Sequence, residues 1–219
     1  ASDPQFDNRR GIAGDFTVFK AMGAAAAAGK SLDDVERLGN LANRRTRTLG
    51  VAFSGCTMPG AKTPLFEVKT GQMGVGLGIH GEPGIRDDVR PSAQELGRLL
   101  VRTVLKDAPE EPGGRIGVIV NGLGTTKYEE LFLLYRTIAP LLRDAGYDIV
   151  HPEVGELVTS LDMGGVSLTV FWLDDELEPL WTADAYAAAY RKQGAPLGTI
   201  DETYEGKTTA VDEDSLVEA

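Results

Sequence analysis

The chain has 219 residues, enough for one large domain with extensions, and its 42% hydrophobic and 25% charged residues are ordinary for a soluble globular protein. A net charge of −11 disfavours nucleic acid as a partner, and no apolar run approaches the roughly 18 residues of a membrane span. Two histidines and one cysteine exclude an internal disulfide and a zinc site built from several such ligands, whereas a carboxylate site for magnesium stays open.

The first part of the chain predicts two helices and three strands. An alanine-rich helix over 12–28 stops at Gly29, and a second helix, capped by Ser31, runs to about residue 44. Apolar patterns then favour strands at 48–55, 65–68 and about 74–79. These elements precede the strand–helix–strand units of the remaining chain.

The second part alternates helices and strands. A capping box at Ser92 begins one helix, and Thr126 with Glu129 is expected to begin the next, after a strand at 115–124 that reads as buried on both faces. Further strands are expected at 147–155 and 165–174, and a helix is possible over 183–192. This order predicts an α/β fold in which helices flank a mixed β-sheet.

A histidine surrounded by glycines is the first candidate for chemistry. In "GQMGVGLGIHGEPG" (71–84), glycines alternate with apolar residues up to His80. Glycine within a strand often marks close approach by a ligand or another backbone, and the end of a strand is a usual ligand site in α/β sheets. A neutral imidazole there can act as a base, a nucleophile or a metal ligand, and Glu82 could orient it; the alternative is a hydrogen-bonded turn histidine.

The remaining candidates are better explained by structural roles. The loop in "NGLGTTKYEE" (121–130) can present backbone N–H groups to an anion, but an ordinary tight turn is the preferred interpretation. We expect His151 to lie at the surface and Cys56 to be a small buried residue. Asp162 is expected to hydrogen-bond nearby backbone, and either Asp174 or Asp175 is expected to cap a short helix.

Five segments taken together resemble the dihydroxyacetone kinase family. The similarity is to the second, C-terminal half of its substrate-binding (DhaK-type) subunit or domain, and it covers roughly residues 9 to 181 in the family order. The "GIHGEPG" stretch is the most specific part of the match. The matching segments are "RRGIAGDFTVFKAMGAAAAAGKSLDDV", "TRTLGVAFSGCTMPGAKTPLFEV", "GVGLGIHGEPGI", "GVIVNGLGTTKYEELFLLYR" and "TSLDMGGVSLTVFWLDDELEPLW".

The resemblance implies a covalent role for His80. In such kinases the histidine at this position binds dihydroxyacetone as a hemiaminal through its Nε2 atom, so His80 is the expected catalytic residue. Covalent capture selects a ketone over glycerol and holds the terminal hydroxyl for phosphoryl transfer. No cofactor is expected on this chain, because ATP, or ADP recharged by a phosphotransferase protein, sits with Mg²⁺ on a separate helical nucleotide-binding domain or subunit.

The chain also departs from the family pattern. The "GGGSGHEP" and "KNYxGD" type segments of the family's first half are absent from the sequence, so we expect a fragment or one polypeptide of a split subunit. Expected regions are a linker or cut N-terminus at 1–10, the capture domain at 11–181, and an acidic, partly disordered extension at 182–219. Expected partners are the missing half, the nucleotide-binding unit and a second copy in a homodimer.

Two functions are compatible with this pattern. One is a component of a cytoplasmic kinase for dihydroxyacetone or a related short ketose such as erythrulose. The other is a non-catalytic, dihydroxyacetone-binding sensor or co-regulator, because the family includes such relatives and either role retains His80. A partner that carries the family's acid/base aspartate would indicate the kinase.

Overall fold

A mixed β-sheet with helices on both faces forms the centre of the fold. The computed structural model describes Arg10 and residues 12–80 and 82–193. Within them the helices are α1 Gly14–Ala27, α2 Leu32–Arg44, α3 Ala93–Lys106, α4 Tyr128–Asp144 and α5 Leu177–Thr182. The strands are β1 Thr46–Ala52, β2 Gln72–Val75, β3 Arg86–Val89, β4 Arg115–Gly122, β5 Asp148–Ile149, β6 Glu153–Gly155, β7 Gly165–Leu173, β8 Ala185–Tyr186 and β9 Arg191–Lys192.

The main sheet has the strand order β3-β2-β1-β7-β4-β5, and β6 also pairs with β4. Strand β7 runs antiparallel to both β1 and β4, whereas β4 runs parallel to β5 and β6. Parallel neighbours need a crossover connection, which α4 provides between β4 and the two short strands. The predicted α/β fold with a mixed sheet flanked by helices is therefore confirmed.

Strand β7 divides its side chains between two apolar layers. Leu168, Val170 and Trp172 belong to the core that includes the buried faces of α3 and α4. Phe171 and Leu173 lie in the opposite core, which includes residues of α1, α2 and α5. Alternate residues of a strand point to opposite faces, and each face of β7 is covered by one of these cores. All nine residues of β7 are therefore buried.

The helix boundaries follow local capping chemistry. The side chain of Ser31 accepts a hydrogen bond from the backbone of Asp34 at 3.2 Å, and Ser92 with Glu95 forms a complete capping box. Helix α1 is followed by Gly29 at φ 74°, a left-handed conformation that glycine adopts without strain. The predicted starts of α2 and α3 and the predicted end of α1 are confirmed.

Helix α4 begins differently from the prediction. The hydroxyl of Thr126 donates to the carbonyl of Gly165 at 2.8 Å and accepts from its N–H at 3.1 Å, so it holds a neighbouring loop instead of capping the helix. The carboxylate of Glu130 accepts a hydrogen bond from the backbone N–H of Lys127 at 2.9 Å. The start signal therefore lies one residue later than Thr126 and Glu129.

Two strand predictions are corrected by the loops that replace them. Residues 65–68 form no strand, because the chain folds over itself there: Leu65 donates its N–H to the carbonyl of Cys56, and a Cβ on Gly55 would strike the carbonyl of Phe66. The predicted strand at 147–155 is divided into β5 and β6 by His151, which has a positive φ of 44°.

The alanine-rich segment 183–192 forms a hairpin of β8 and β9 and not a helix. Its far end is fixed to the body of the protein by tertiary contacts. The Tyr190 hydroxyl and the Lys192 ammonium group each donate to Glu153 at 2.8 Å, and the ring of Tyr190 meets Phe16 edge-on at 4.8 Å. These contacts outweigh the helix propensity of the alanines.

The predicted regions 1–10 and 182–219 stay predictions. Residues 1–9, Gly11, Gly81 and everything from 194 onward lie outside the described residues. Of the helices in the described part of the chain, none is long and apolar enough to cross a membrane.

Candidate functional site

His80 lies in a turn beyond the end of β2. The strand predicted over 74–79 is wrong after Val75: the N–H of Gly76 still donates to the carbonyl of Gly50 in β1 at 2.8 Å, but Gly76 has φ 78° and β2 has ended. A left-handed residue interrupts an extended ladder, so the following residues form a loop. The side chain of His80 is 78% exposed, which leaves its imidazole accessible.

The glycines around His80 make room for side chains of the same loop. A Cβ on Gly74 would strike Leu77, and a Cβ on Gly78 would strike the carboxylate of Glu82. The sequence alone suggested that these glycines admit a ligand or another backbone. The structure instead shows a loop folded tightly on itself, with the absence of a side chain at Gly78 allowing Glu82 to fold back toward His80.

One carboxylate holds both the backbone and the ring of His80. An oxygen of Glu82, Oε2, accepts the backbone N–H of His80 at 2.9 Å, and Oε1 lies 3.2 Å from the imidazole Nδ1. The contact expected between these two residues is therefore present. A carboxylate accepts hydrogen bonds only, so it favours the tautomer with the proton on Nδ1 and a lone pair on Nε2.

The local environment keeps Glu82 ionised. Burial alone would raise the pKa of Glu82, but hydrogen bonds from the backbone of Glu82 and His80 and from the imidazole outweigh it and hold the pKa below its ordinary value. The group beside His80 is therefore a carboxylate at neutral pH. It serves as a hydrogen-bond acceptor and a negative charge and is a weak base.

A second contact holds the His80 loop from the opposite side. The hydroxyl of Ser160 donates to the backbone carbonyl of Ile79, and Ser160 itself is 8% exposed. The N–H of Ser160 donates to the carbonyl of Leu123 at 2.8 Å, which ties its loop to the end of β4. Sequence reasoning missed Ser160, because Ile79 lies 81 residues away and only the topology brings the two loops together.

Asp162 joins two further loops of the same region. Its Oδ1 accepts the backbone N–H of Thr57 at 2.5 Å. Hydrogen bonds from Thr57 lower the pKa of Asp162, so this carboxylate is also ionised at neutral pH. Backbone hydrogen bonding was the expected role, but the partner lies 105 residues away and is not local.

The other candidates take the structural roles expected of them. Asp174 accepts the N–H groups of Glu176 and Leu177 at 3.0 and 2.9 Å and so holds the start of α5, while Asp175 pairs with Arg115 at 3.1 Å. Cys56 is 1% exposed and belongs to the core, and His151 lies at the surface. These side chains are accounted for by structure and need no chemical role.

The loop after β4 uses its backbone groups internally. The N–H of Leu123 donates to Gly165 and that of Thr125 donates to Met163, both at 3.1 Å. These donors are therefore not directed at an anion, in agreement with the preferred interpretation of a tight turn. Across the part of the chain that the structure describes, no group of three or more His, Cys, Asp or Glu side chains is placed to hold a metal ion.

Comparison with known proteins gives consistent matches. A family model described as the Dak1 domain matches residues 1–189. The chain is 61% identical over 187 residues to the D-erythrulose kinase of Mycolicibacterium smegmatis, which covers 85% of the chain and 32% of that kinase. It is 40% identical over 174 residues to the dihydroxyacetone-binding subunit of PTS-dependent dihydroxyacetone kinase 2 of Listeria innocua, covering 80% of the chain and 53% of the subunit.

Solved structures agree with these matches. The dihydroxyacetone kinase of C. freundii in its native form superposes with a TM-score of 0.74 and 31% identity, over 83% of the chain and 33% of the kinase. The same kinase in complex with AMP-PNP and Mg²⁺ gives a TM-score of 0.73 and 32% identity. The chain thus spans about a third of the erythrulose and dihydroxyacetone kinases and about half of the binding subunit.

Proposed function

The chain belongs to the Dak1 domain family of the dihydroxyacetone kinases, and we propose that it is the substrate-capturing part of a short-ketose kinase. His80 binds the ketone covalently, and the parts of the kinase that the chain does not span complete the site. The observation that carries this proposal is an exposed imidazole whose Nδ1 faces a carboxylate 3.2 Å away, which leaves Nε2 as the nucleophile.

The capture step is an addition to the ketone. The lone pair of Nε2 forms a bond to the carbonyl carbon, the carbonyl π electrons move to oxygen, and that oxygen takes up a proton from solvent. The ring keeps its Nδ1 proton, which faces Glu82, so the product is a hemiaminal on a positively charged ring that pairs with the carboxylate. The ionised Glu82 stabilises the ring charge during the step and aligns the imidazole beforehand.

Covalent capture explains how a small, uncharged substrate can be selected and positioned. Glycerol has no carbonyl group and cannot form the adduct, whereas a bound ketose keeps its terminal hydroxyl free for in-line phosphoryl transfer. The phosphate donor, ATP or ADP with Mg²⁺, belongs to a separate nucleotide-binding part. The related dihydroxyacetone kinase of C. freundii was solved in complex with AMP-PNP and Mg²⁺, which supports a nucleotide with Mg²⁺ as the donor. The kinase is cytoplasmic, and it assembles as a homodimer.

Erythrulose is the preferred substrate over dihydroxyacetone. The relative at 61% identity is a D-erythrulose kinase, whereas the dihydroxyacetone-binding subunit is 40% identical. Both ketoses present a carbonyl next to a terminal hydroxymethyl group, so the capture step at His80 is the same for each. Chain length must therefore be selected by contacts with the other end of the sugar.

A kinase assay on the complete enzyme tests the proposal. We expect ATP-dependent or phosphotransferase-dependent phosphorylation of erythrulose and dihydroxyacetone, none of glycerol, and loss of activity in His80→Asn. The surface variant His151→Asn is the matched control and should retain activity, since His151 lies outside the loop. Full activity of His80→Asn would overturn the proposed role, and ketone binding without phosphorylation in the complete assembly would instead indicate a sensor.

A further inference from the structure

We propose that Ser160 is a positioning residue for His80. Residues 157–163, called the strap here, connect the central sheet to the peptide that carries the histidine and so fix its position. The inference rests on the proposed function, since it concerns the same imidazole. It identifies a side chain that touches neither the ring nor the ketone but fixes the peptide from which the ring projects.

The strap is anchored to the sheet by a buried asparagine. Asn121, in β4, is fully buried, and its amide nitrogen donates to the carbonyl of Val158 at 2.7 Å. Its amide oxygen accepts the N–H groups of Leu157 and Val158 at 2.8 and 2.9 Å. A buried amide with its donor and acceptor both engaged gives a well-defined position to the chain that it holds.

The middle of the strap is held by backbone hydrogen bonds. The N–H of Ser160 donates to Leu123 at 2.8 Å, and the carbonyl of Ser160 accepts from Met163 at 2.9 Å. Between them Leu161 has φ 51°, a left-handed conformation that is unfavourable for leucine. Such a conformation persists only where the surroundings determine it, so the strap is a rigid element at this point.

The Ser160 hydroxyl completes the restraint of a single peptide unit. It donates to the carbonyl of Ile79, while the N–H of the same peptide, which belongs to His80, donates to Glu82 at 2.9 Å. Both polar groups of the peptide are therefore held, one by the strap and one by the reactive loop itself. Because this peptide fixes the Cα of His80, its orientation determines where the imidazole points.

Adduct formation in the complete kinase tests the role of Ser160. The ketone, dihydroxyacetone labelled with carbon-13 at its carbonyl, is titrated against the wild type, Ser160→Ala and the control Thr63→Ala, which removes a hydroxyl from an exposed residue outside the strap. Loss of one part-buried hydrogen bond to the carbonyl of Ile79 should lower the adduct formation constant of Ser160→Ala about five- to tenfold. Thr63→Ala should match the wild type.

Hydrogen exchange separates positioning from general destabilisation and does not depend on the adduct. In Ser160→Ala, exchange of the His80 amide should accelerate about five- to tenfold, while amides of β4 and β7 keep their protection. An adduct constant within twofold of the wild type, or unchanged exchange at His80, would overturn the inference. If the wild type itself forms no adduct, the proposed function fails, and the exchange measurement still decides the role of Ser160.

Discussion

The Nδ1 atom of His80 lies 3.2 Å from Oε1 of Glu82, and the other oxygen of the same carboxylate accepts the backbone N–H of His80. This two-point contact determines which ring nitrogen carries the proton and which is free to react. It depends on Gly78, where a side chain would occupy the position of the Glu82 carboxylate. The arrangement proposed for ketone capture is therefore a property of the loop as a whole.

Removing the Glu82 carboxylate should weaken ketone capture. In Glu82→Ala the imidazole loses a charge-assisted hydrogen bond worth about 1.5–3 kcal/mol, so the adduct formation constant should fall roughly ten- to a hundredfold. Glu82→Gln should lose less, because an amide oxygen still accepts the Nδ1 proton. Adduct titration with labelled ketone measures both, and the exposed Glu110→Gln serves as the control. Wild-type capture by Glu82→Ala would contradict the positioning role.

A methyl group at position 78 should act through Glu82. The Cβ of Gly78→Ala collides with the carboxylate, so the loop must shift and the adduct constant should fall about tenfold or more. Gly114→Ala is the matched control, because a Cβ at Gly114 meets nothing within 4 Å. The nitrogen chemical shifts of the His80 ring report whether the preferred tautomer is lost. An unchanged ring spectrum in Gly78→Ala would show that the loop tolerates the side chain.

Much of the fold could be predicted from the sequence because its signals are local. The capping residues Ser31 and Ser92 mark helix starts through hydrogen bonds to residues three positions away. The long apolar runs at 115–124 and 165–174 identify the two central strands, since strands covered on both faces need apolar residues on both. The α/β class follows from their alternation with helices.

The parts that the sequence did not predict depend on distant contacts or on one dihedral angle. The alternation of Val75, Leu77 and Ile79 imitates a strand, but the left-handed Gly76 turns the chain and places His80 in a loop. The contact between Ser160 and Ile79 spans 81 residues, so no local pattern announces it. The glycine-rich surroundings and the family resemblance identified His80 as a candidate, but neither signal predicted the contacts of its loop.

The hairpin of β8 and β9 can be tested through the hydroxyl that anchors it. Tyr190→Phe removes the hydrogen bond to Glu153 and should lower the free energy of unfolding by about 1 kcal/mol. Tyr186→Phe, on the same hairpin but 80% exposed, should change it by no more than about 0.5 kcal/mol. Urea unfolding measures both variants. Equal effects would mean that the contact with Glu153 does not hold the hairpin.

The buried Lys20 should make stability rise with pH on the alkaline side. Burial lowers the pKa of Lys20 to about 8 from an ordinary 10.5, with Lys192 acting in the same direction and Glu153 and Asp184 opposing it. Between these two values the unfolded chain binds more protons than the folded one, so raising the pH favours the folded state. From about pH 7.5 to about pH 9.5, Lys20 should raise the free energy of unfolding by about 1–2 kcal/mol.

The variant Lys20→Met isolates this effect from other groups that titrate in the same range. Relative to the variant, the wild type should gain stability as the pH rises through that window, as measured by urea unfolding at each pH. The variant also leaves the carbonyl of Leu180 without the ammonium donor at 2.8 Å, which lowers its stability at every pH but adds no slope. Parallel pH profiles of the two proteins would show that Lys20 is not desolvated.

The central claim is that Nε2 of His80 forms a covalent bond with a short ketose. Its most direct test is a nuclear magnetic resonance experiment on the complete kinase with nitrogen-15 histidine and dihydroxyacetone labelled with carbon-13 at the carbonyl. We predict a protein-bound tetrahedral carbon signal that is coupled to Nε2 of His80 and is missing in His80→Asn. A ketone that keeps its free carbonyl signal in the wild type, or an identical bound signal in His80→Asn, would contradict it.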